Sequence, residues 1–145
     1  DSLLSDEKRS GSVSIAQGNE GIVMEFSSSA FYELGKAEFN PEAGAILGKV
    51  TGAIKGIDYY KFQIDIEGHT DNIPIKSIQF PSNWELSVSR ATNIVKFLIG
   101  EGIGADRLKA AGYADTKPKL PNTDSAGTAI PENQARNRRI VLRIH

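Results

Sequence analysis

The chain has 145 residues, 39% of them hydrophobic and 24% charged, with a formal net charge of −1. That composition suits one globular domain with a real core and argues against a wholly disordered chain. The near-zero charge gives no general attraction to nucleic acid, no apolar run reaches the roughly 20 residues that span a bilayer, and the lack of cysteine excludes disulfides, thiol nucleophiles and Cys-based metal sites.

Residues 1–12 (DSLLSDEKRSGS) are polar and of mixed charge. They do not read as a signal peptide, and residues 1–20 are assigned to a flexible linker or N-terminal extension ahead of a domain at 21–145. Ser12 to Ala16 alternates weakly, and Gly21 to Ser27 (GIVMEFS) reads as a strand. The turn cluster at residues 18–21 suggests a hairpin between them. Asn40-Pro41-Glu42 is a helix start, followed by apolar residues at Ala43, Ile46, Leu47, Val50 and Ile54 and a stop at Gly56.

Tyr60 to Gly68 (YKFQIDIEG) alternates strictly, so Phe62, Ile64 and Ile66 share one buried strand face. A polar loop from His69 to Pro81 follows. Ser82-Asn83-Trp84-Glu85 has the capping-box pattern and opens the clearest helix, 82–100. Its expected core stripe is Trp84, Val88, Ala91, Val95 and Leu98. Arg107 to Tyr113 reads as a short strand, 114–131 as a long polar loop, 132–138 as a short helix and 139–145 as a final strand. The order predicts an α/β fold: a two-layer sandwich with a mixed β-sheet and helices on one face.

Charge is unevenly placed. Residues 1–60 carry nine acidic and five basic side chains, and residues 61–145 carry nine and twelve. The basic excess gathers late, at Arg136, Arg138, Arg139 and Arg143. By itself such a cluster is ordinary solvated charge or a site for a small anion.

Two constellations can carry chemistry. Gly68-His69-Thr70-Asp71-Asn72 directly follows the clearest strand, where a rigid sheet can hold a site. A catalytic reading would pair His69 with Asp71 and a serine. The chain has no G-x-S-x-G elbow, and its only other histidine is the terminal His145. Catalytic residues, metal ligands and cofactors are therefore all assigned as none, and His69 is read as a structural imidazole bonding nearby backbone. On the 82–100 helix, Arg90 shares a face with Asn83, Leu86, Ile94 and Phe97. An arginine so flanked borders the core, with its guanidinium aimed either at an internal acid such as Asp71 or at a ligand carboxylate. Asp71 with Arg90 or Arg138 could hold a zwitterion, the acid taking an ammonium and an arginine a carboxylate.

Four blocks in this order carry a resemblance: IEGHTDN (66–72), NWELSVSRA (83–91), GIGADRLKAAGYADTKP (102–118) and NQARNRRIVLRI (133–144). Together they resemble the OmpA-like peptidoglycan-binding domain, with its β-α-β-α-β-β core. The stretches Asn72-Ile73-Pro74-Ile75 and FPSNWELS (80–87) are most similar to the periplasmic C-terminal domain of flagellar stator proteins of the MotB/PomB type. The resemblance implies non-covalent binding of the diaminopimelate of the peptidoglycan stem peptide, with Asp71 and Arg90 gripping it. Thr70, Asn83, Leu86 and Arg138 would line the same pocket, and Arg139 would be structural. It further implies a periplasmic domain of an inner-membrane protein, a homodimer, and a MotA/PomA-type channel partner through an N-terminal part that this chain lacks. A general envelope tether of the Pal or OmpA kind is the alternative. The chain departs from the family pattern at Ala114, where the family has glycine, and in a longer segment at 122–132.

Overall fold

The structure, a computed structural model, describes Leu4 and residues 13–19, 21–57 and 62–145. Among the described residues five strands and three α-helices follow in chain order: β1 (Val13–Gly18), β2 (Gly21–Ser27), α1 (Ala43–Lys55), β3 (Ile64–His69), α2 (Asn83–Gly100), β4 (Leu108–Gly112), α3 (Pro131–Asn137) and β5 (Arg139–Ile144). They form one mixed sheet in the order β1-β2-β5-β3-β4. β3 and β4 are parallel, joined by α2, and the other neighbours are antiparallel. The expected α/β architecture is present. The remaining residues of 1–20, and Tyr60 and Lys61 at the start of the expected third strand, lie outside the described residues.

Strand alternation divides the sheet into two faces. Met24 and Phe26 of β2, Ile64 and Ile66 of β3, and Ile140, Leu142 and Ile144 of β5 join one core with Leu47, Val50 and Ile54 of α1 and Ala91, Ile94 and Leu98 of α2. The opposite face carries Glu25, Glu67, His69, Arg139 and Arg143, which meet as charged pairs, and Asp65, which pairs with Lys109 and His145. The β1–β2 hairpin is formed, with Gly18 opposite Gly21, and Val13 is buried against the core. Among the described residues the sheet begins at Val13, so β1 falls inside the 1–20 segment assigned to a linker or extension.

α2 starts where the sequence indicates, whereas α1 starts two residues later than expected, at Ala43 after Glu42. Asn40 Oδ1 accepts the Glu42 N–H at 3.1 Å, just before α1. Ser82 caps α2 by accepting the Trp84 N–H at 3.2 Å and also bonds Glu85. The buried face of α2 overlaps the expected stripe at Ala91, Leu98 and, in part, Val95, but departs from it at Trp84 and Val88. Trp84 is 49% and Val88 44% exposed, while Leu86, Ser87, Arg90, Ala91, Ile94 and Leu98 are buried. The cause lies in the strands. A Cβ on Gly68 would sit 2.3 Å from the Ser87 carbonyl oxygen, and one on Gly112 2.5 Å from the Val88 nitrogen. Gly68 and Gly112 are register partners on β3 and β4. The helix backbone therefore rests directly on a glycine pair, with small Ser87 and a methyl of Val88 at the contact, and the larger Trp84 is turned outward.

Candidate functional site

Close approach of α2 to β3 brings the start of the helix beside the end of the strand. Thr70 and Asp71 leave β3 there, and Asn83, Leu86 and Arg90 face them from α2. The segment 70–72 is pinned from several sides. The Thr70 N–H donates to Ala114 O at 2.9 Å, and the Ala114 N–H donates in turn to Ser87 Oγ at 3.1 Å. Gln134 of α3 donates to Asn72 Oδ1 at 2.8 Å, which draws α3 and the following Arg138 against the same segment.

A cavity of about 330 Å³ results. Thr70, Asp71, Asn83, Leu86, Arg90 and Arg138 all line it, so the structure brings together all six residues singled out in the sequence. Leu34, Gly35, Ile73, Pro74 and Ile75 complete the wall. One side of the cavity is thus polar and charged, and the other is aliphatic.

The charged side has a defined arrangement. Asp71, 6% exposed, accepts the Ile73 N–H on Oδ1 at 3.0 Å and Arg138 Nη1 on Oδ2 at 2.5 Å. Its partner is therefore Arg138 and not Arg90. Arg90 is 3% exposed and donates to two backbone carbonyls, Lys36 O at 2.8 Å and Glu33 O at 3.2 Å. Its guanidinium lies 4.9 Å from the Tyr32 ring centroid, and the Tyr32 hydroxyl donates to Arg90 O at 2.7 Å. Burial pulls the Arg90 pKa down to about 10, so it remains charged at neutral pH. The same burial pushes the Tyr32 phenol well above its usual range. One carboxylate and two guanidiniums leave this side of the cavity with net positive charge.

Asn83 donates to Ile73 O at 3.0 Å, which holds the aliphatic lip against α2. Thr70 turns its hydroxyl to Asp71 O at 2.8 Å. Arg139, expected to be structural, donates to Lys117 O and Asn137 O and stands 3.7 Å from Glu25. His69 is also structural, but its partner is a side chain and not backbone. Its Nε2 meets Glu67 Oε1 at 3.1 Å and its ring stacks on Tyr113. Burial and the nearby Arg139 hold its pKa below the usual histidine value.

Several contributors carry no periodic signal. The 31–38 segment supplies Tyr32, Leu34, Gly35 and the carbonyls that fix Arg90, yet its apolar residues follow neither a helical nor a strand repeat. Asn137, within the NRR run, is fully buried and clamps the long loop. It accepts the Lys119 and Leu120 N–H groups and donates to Leu120 O and Asn122 Oδ1.

These features define a two-layer α/β domain with a charge-lined, partly aliphatic cavity at the C-terminal end of a central strand. The chain belongs to the OmpA family, whose sequence profile matches residues 31–138. Within that family it is similar to MotB-type domains. Motility protein B of Bacillus subtilis (strain 168) is 31% identical over 143 residues, covering 98% of this chain and 52% of that protein. The chain thus spans about half the length of that relative. Among solved structures, the cell wall anchor of the T6SS from Pseudomonas aeruginosa aligns with a TM-score of 0.85 and 28% identity, covering 97% of this chain and 92% of that one. A MotB-like protein from Desulfovibrio vulgaris aligns with a TM-score of 0.83 and 27% identity, covering 99% and 87%.

Proposed function

We propose that this domain binds peptidoglycan non-covalently, gripping the diaminopimelate of the stem peptide. The observation that carries the reading is the single cavity lined by Asp71, Arg90, Arg138, Thr70, Asn83 and Leu86. The free end of diaminopimelate carries an ammonium and a carboxylate on an aliphatic chain. Asp71 suits the ammonium, the guanidiniums suit the carboxylate, and Leu34, Ile73 and Leu86 suit the chain. Nothing in this chemistry needs a bond to break. Incubation with labelled peptidoglycan tests that point, since release of soluble fragments would overturn a binding-only role.

The setting we propose is a flagellar motor stator held to the cell wall. It is supported by the likeness to Motility protein B and to the MotB-like structure. The domain would face the periplasm, pair as a homodimer, and connect through upstream sequence to a MotA/PomA-type channel in the inner membrane. Among the described residues no helix is long and apolar enough to cross a membrane. A general envelope tether is the second reading, favoured by the likeness to a secretion-system wall anchor. The upstream sequence separates the two. One transmembrane helix with an embedded aspartate means a stator, and a lipobox cysteine or a β-barrel means a tether.

Asp71→Asn is the cleaner test of the site. It keeps the shape and the Ile73 contact but removes the charge, and it should abolish co-sedimentation with purified sacculi while the fold remains. Arg90→Ala should also abolish binding, but it strips two backbone carbonyls of their donor as well. An Asp71→Asn protein that co-sediments like the parent would show that the site is misassigned.

A further inference from the structure

A second cavity, of about 350 Å³, adjoins the first and shares Arg138 with it. It lies where β1 and β2 meet the turn from α3 into β5, with Glu25 and Ser27 on one side and residues 135–139 on the other. Its charge is one-sided. Lys119, Arg136, Arg138 and Arg139 line it against Glu25 alone. Glu25 is already shared, since Lys119 pairs with it and Arg139 Nε stands 3.7 Å away. That Nε is buried and has no hydrogen-bond acceptor among the described residues. Arg138 is committed to Asp71, and Arg136 is exposed, with no acid paired to it among the described residues.

A cavity lined by four cations and one carboxylate, with one unmet buried donor, is suited to a carboxylate. Its position narrows the choice of carboxylate. Because Arg138 is a wall of both cavities, an anion here lies next to whatever binds at Asp71. In the stem peptide, D-glutamate is bonded directly to diaminopimelate and carries a free α-carboxylate on the same short chain. We infer that this cavity takes the α-carboxylate of the D-glutamate that precedes diaminopimelate, with Arg136 and Lys119 as the contacting cations. The inference rests on the binding role proposed above and extends it to a second subsite, so that the site reads two residues of the peptide instead of one. Chains in which that carboxylate is amidated would be poorer ligands.

The experiment is calorimetric titration of the chain with two tripeptides, L-Ala-γ-D-Glu-meso-diaminopimelate and its D-isoglutamine counterpart, at low ionic strength. A partly exposed charge pair predicts about 1.5–5-fold tighter binding of the acid form. In Arg136→Gln the ratio of the two affinities should fall toward one, and that ratio is the readout. Inorganic phosphate should compete with the acid form more than with the amide. Equal binding of both peptides by the parent, or a ratio that survives Arg136→Gln, overturns this subsite and leaves the diaminopimelate reading standing. Phosphate that weakens both forms alike also counts against it, since it then acts at the Asp71 cavity. Failure of both peptides to bind overturns both readings together.

Discussion

Two glycine-to-alanine substitutions should move stability in opposite directions, and the reason is legible atom by atom. In Gly68→Ala the new Cβ meets the Ser87 carbonyl oxygen at 2.3 Å and the Ser87 carbonyl carbon at 3.0 Å. These are backbone atoms of α2, so no side-chain rotation relieves the clash. Restoring ordinary contact requires the helix to retreat by about 1 Å from the sheet. Overpacking of this kind costs about 1–3 kcal/mol. The upper end applies, because α2 also carries Ala91, Ile94 and Leu98 of the core. At about 2–4 °C per kcal/mol for a domain of this size, Tm should fall by about 6–12 °C. Gly48 is the control. It sits inside α1, is exposed, and a Cβ there meets nothing within 4 Å. Gly48→Ala should stabilise by about 0.5–1 kcal/mol through helix propensity, raising Tm by about 1–4 °C. Scanning calorimetry on the parent and both variants decides it. A Gly68→Ala protein melting within about 1 °C of the parent would refute the claim that α2 rests on the glycine pair.

Other predictions follow from the buried polar groups. Asn137→Ala removes a fully buried side chain that holds two N–H groups, a carbonyl and Asn122, all half-buried or exposed, and should cost about 1–3 kcal/mol, read as a lower urea midpoint. Ala114 has φ 51°, the left-handed region. Ala114→Val should therefore cost over about 2 kcal/mol, whereas Ala114→Gly should stay within about 1 kcal/mol of the parent, since relief of strain is offset by a lost buried methyl and a freer unfolded chain. His69 is held below its usual pKa by burial and Arg139, so the folded state resists its protonation. Its contribution is whole above about pH 6.5 and is lost as pH falls through the lower folded value. Glu67, beside it, is desolvated but held below its usual value by Arg143 and His69, so its contribution disappears only in more acidic solution. Urea midpoints should decline from pH 7 toward pH 5 in the parent and stay flatter in His69→Gln; identical profiles would show that His69 is not the source.

What could be read from the sequence follows what each signal measures. Alternation located β3 and β5 because one face of each strand meets the core, and the cap residues located α2 because capping is local. Apolar spacing alone placed Ala91 and Leu98 of α2 in the core but wrongly added Trp84 and Val88. Periodicity counts hydrophobic residues, but the helix is seated by Gly68 and Gly112, which lie 19 and 25 residues from Ser87 and add no hydrophobic signal. Four blocks of motif sufficed to gather six side chains into one cavity, because motif residues at strand and helix ends inherit the geometry of those elements. The pairing within the cavity was not legible. Whether Arg90 meets Asp71, a ligand or something else depends on carbonyls of the aperiodic 31–38 segment, and the Asp71–Arg138 contact joins residues 67 apart.

That internal pairing bears on how such a domain would hold a load. The cavity has a fixed half and an adjustable half. Arg90, Asn83 and Leu86 are set by a long helix, and Arg90 is further locked onto two carbonyls. Arg138 follows a helix of only seven residues and its side chain remains 30% exposed. On the proposed reading, an incoming ammonium must share Asp71 with Arg138 or displace it. One ion pair is then exchanged for another, and Arg138 must find a new partner, which the ligand carboxylate supplies. The Coulombic gains and losses largely cancel, so the net affinity of one site is small even though its charges are well placed. A weak, reversible grip suits a wall polymer that is continually remodelled. It does not by itself suit sustained force. Two such domains on one anchored pair would convert the second attachment into an intramolecular event and raise the avidity without any stronger single contact. The ion pair inside the cavity thus supplies a physical reason for a wall anchor of this kind to work as a dimer.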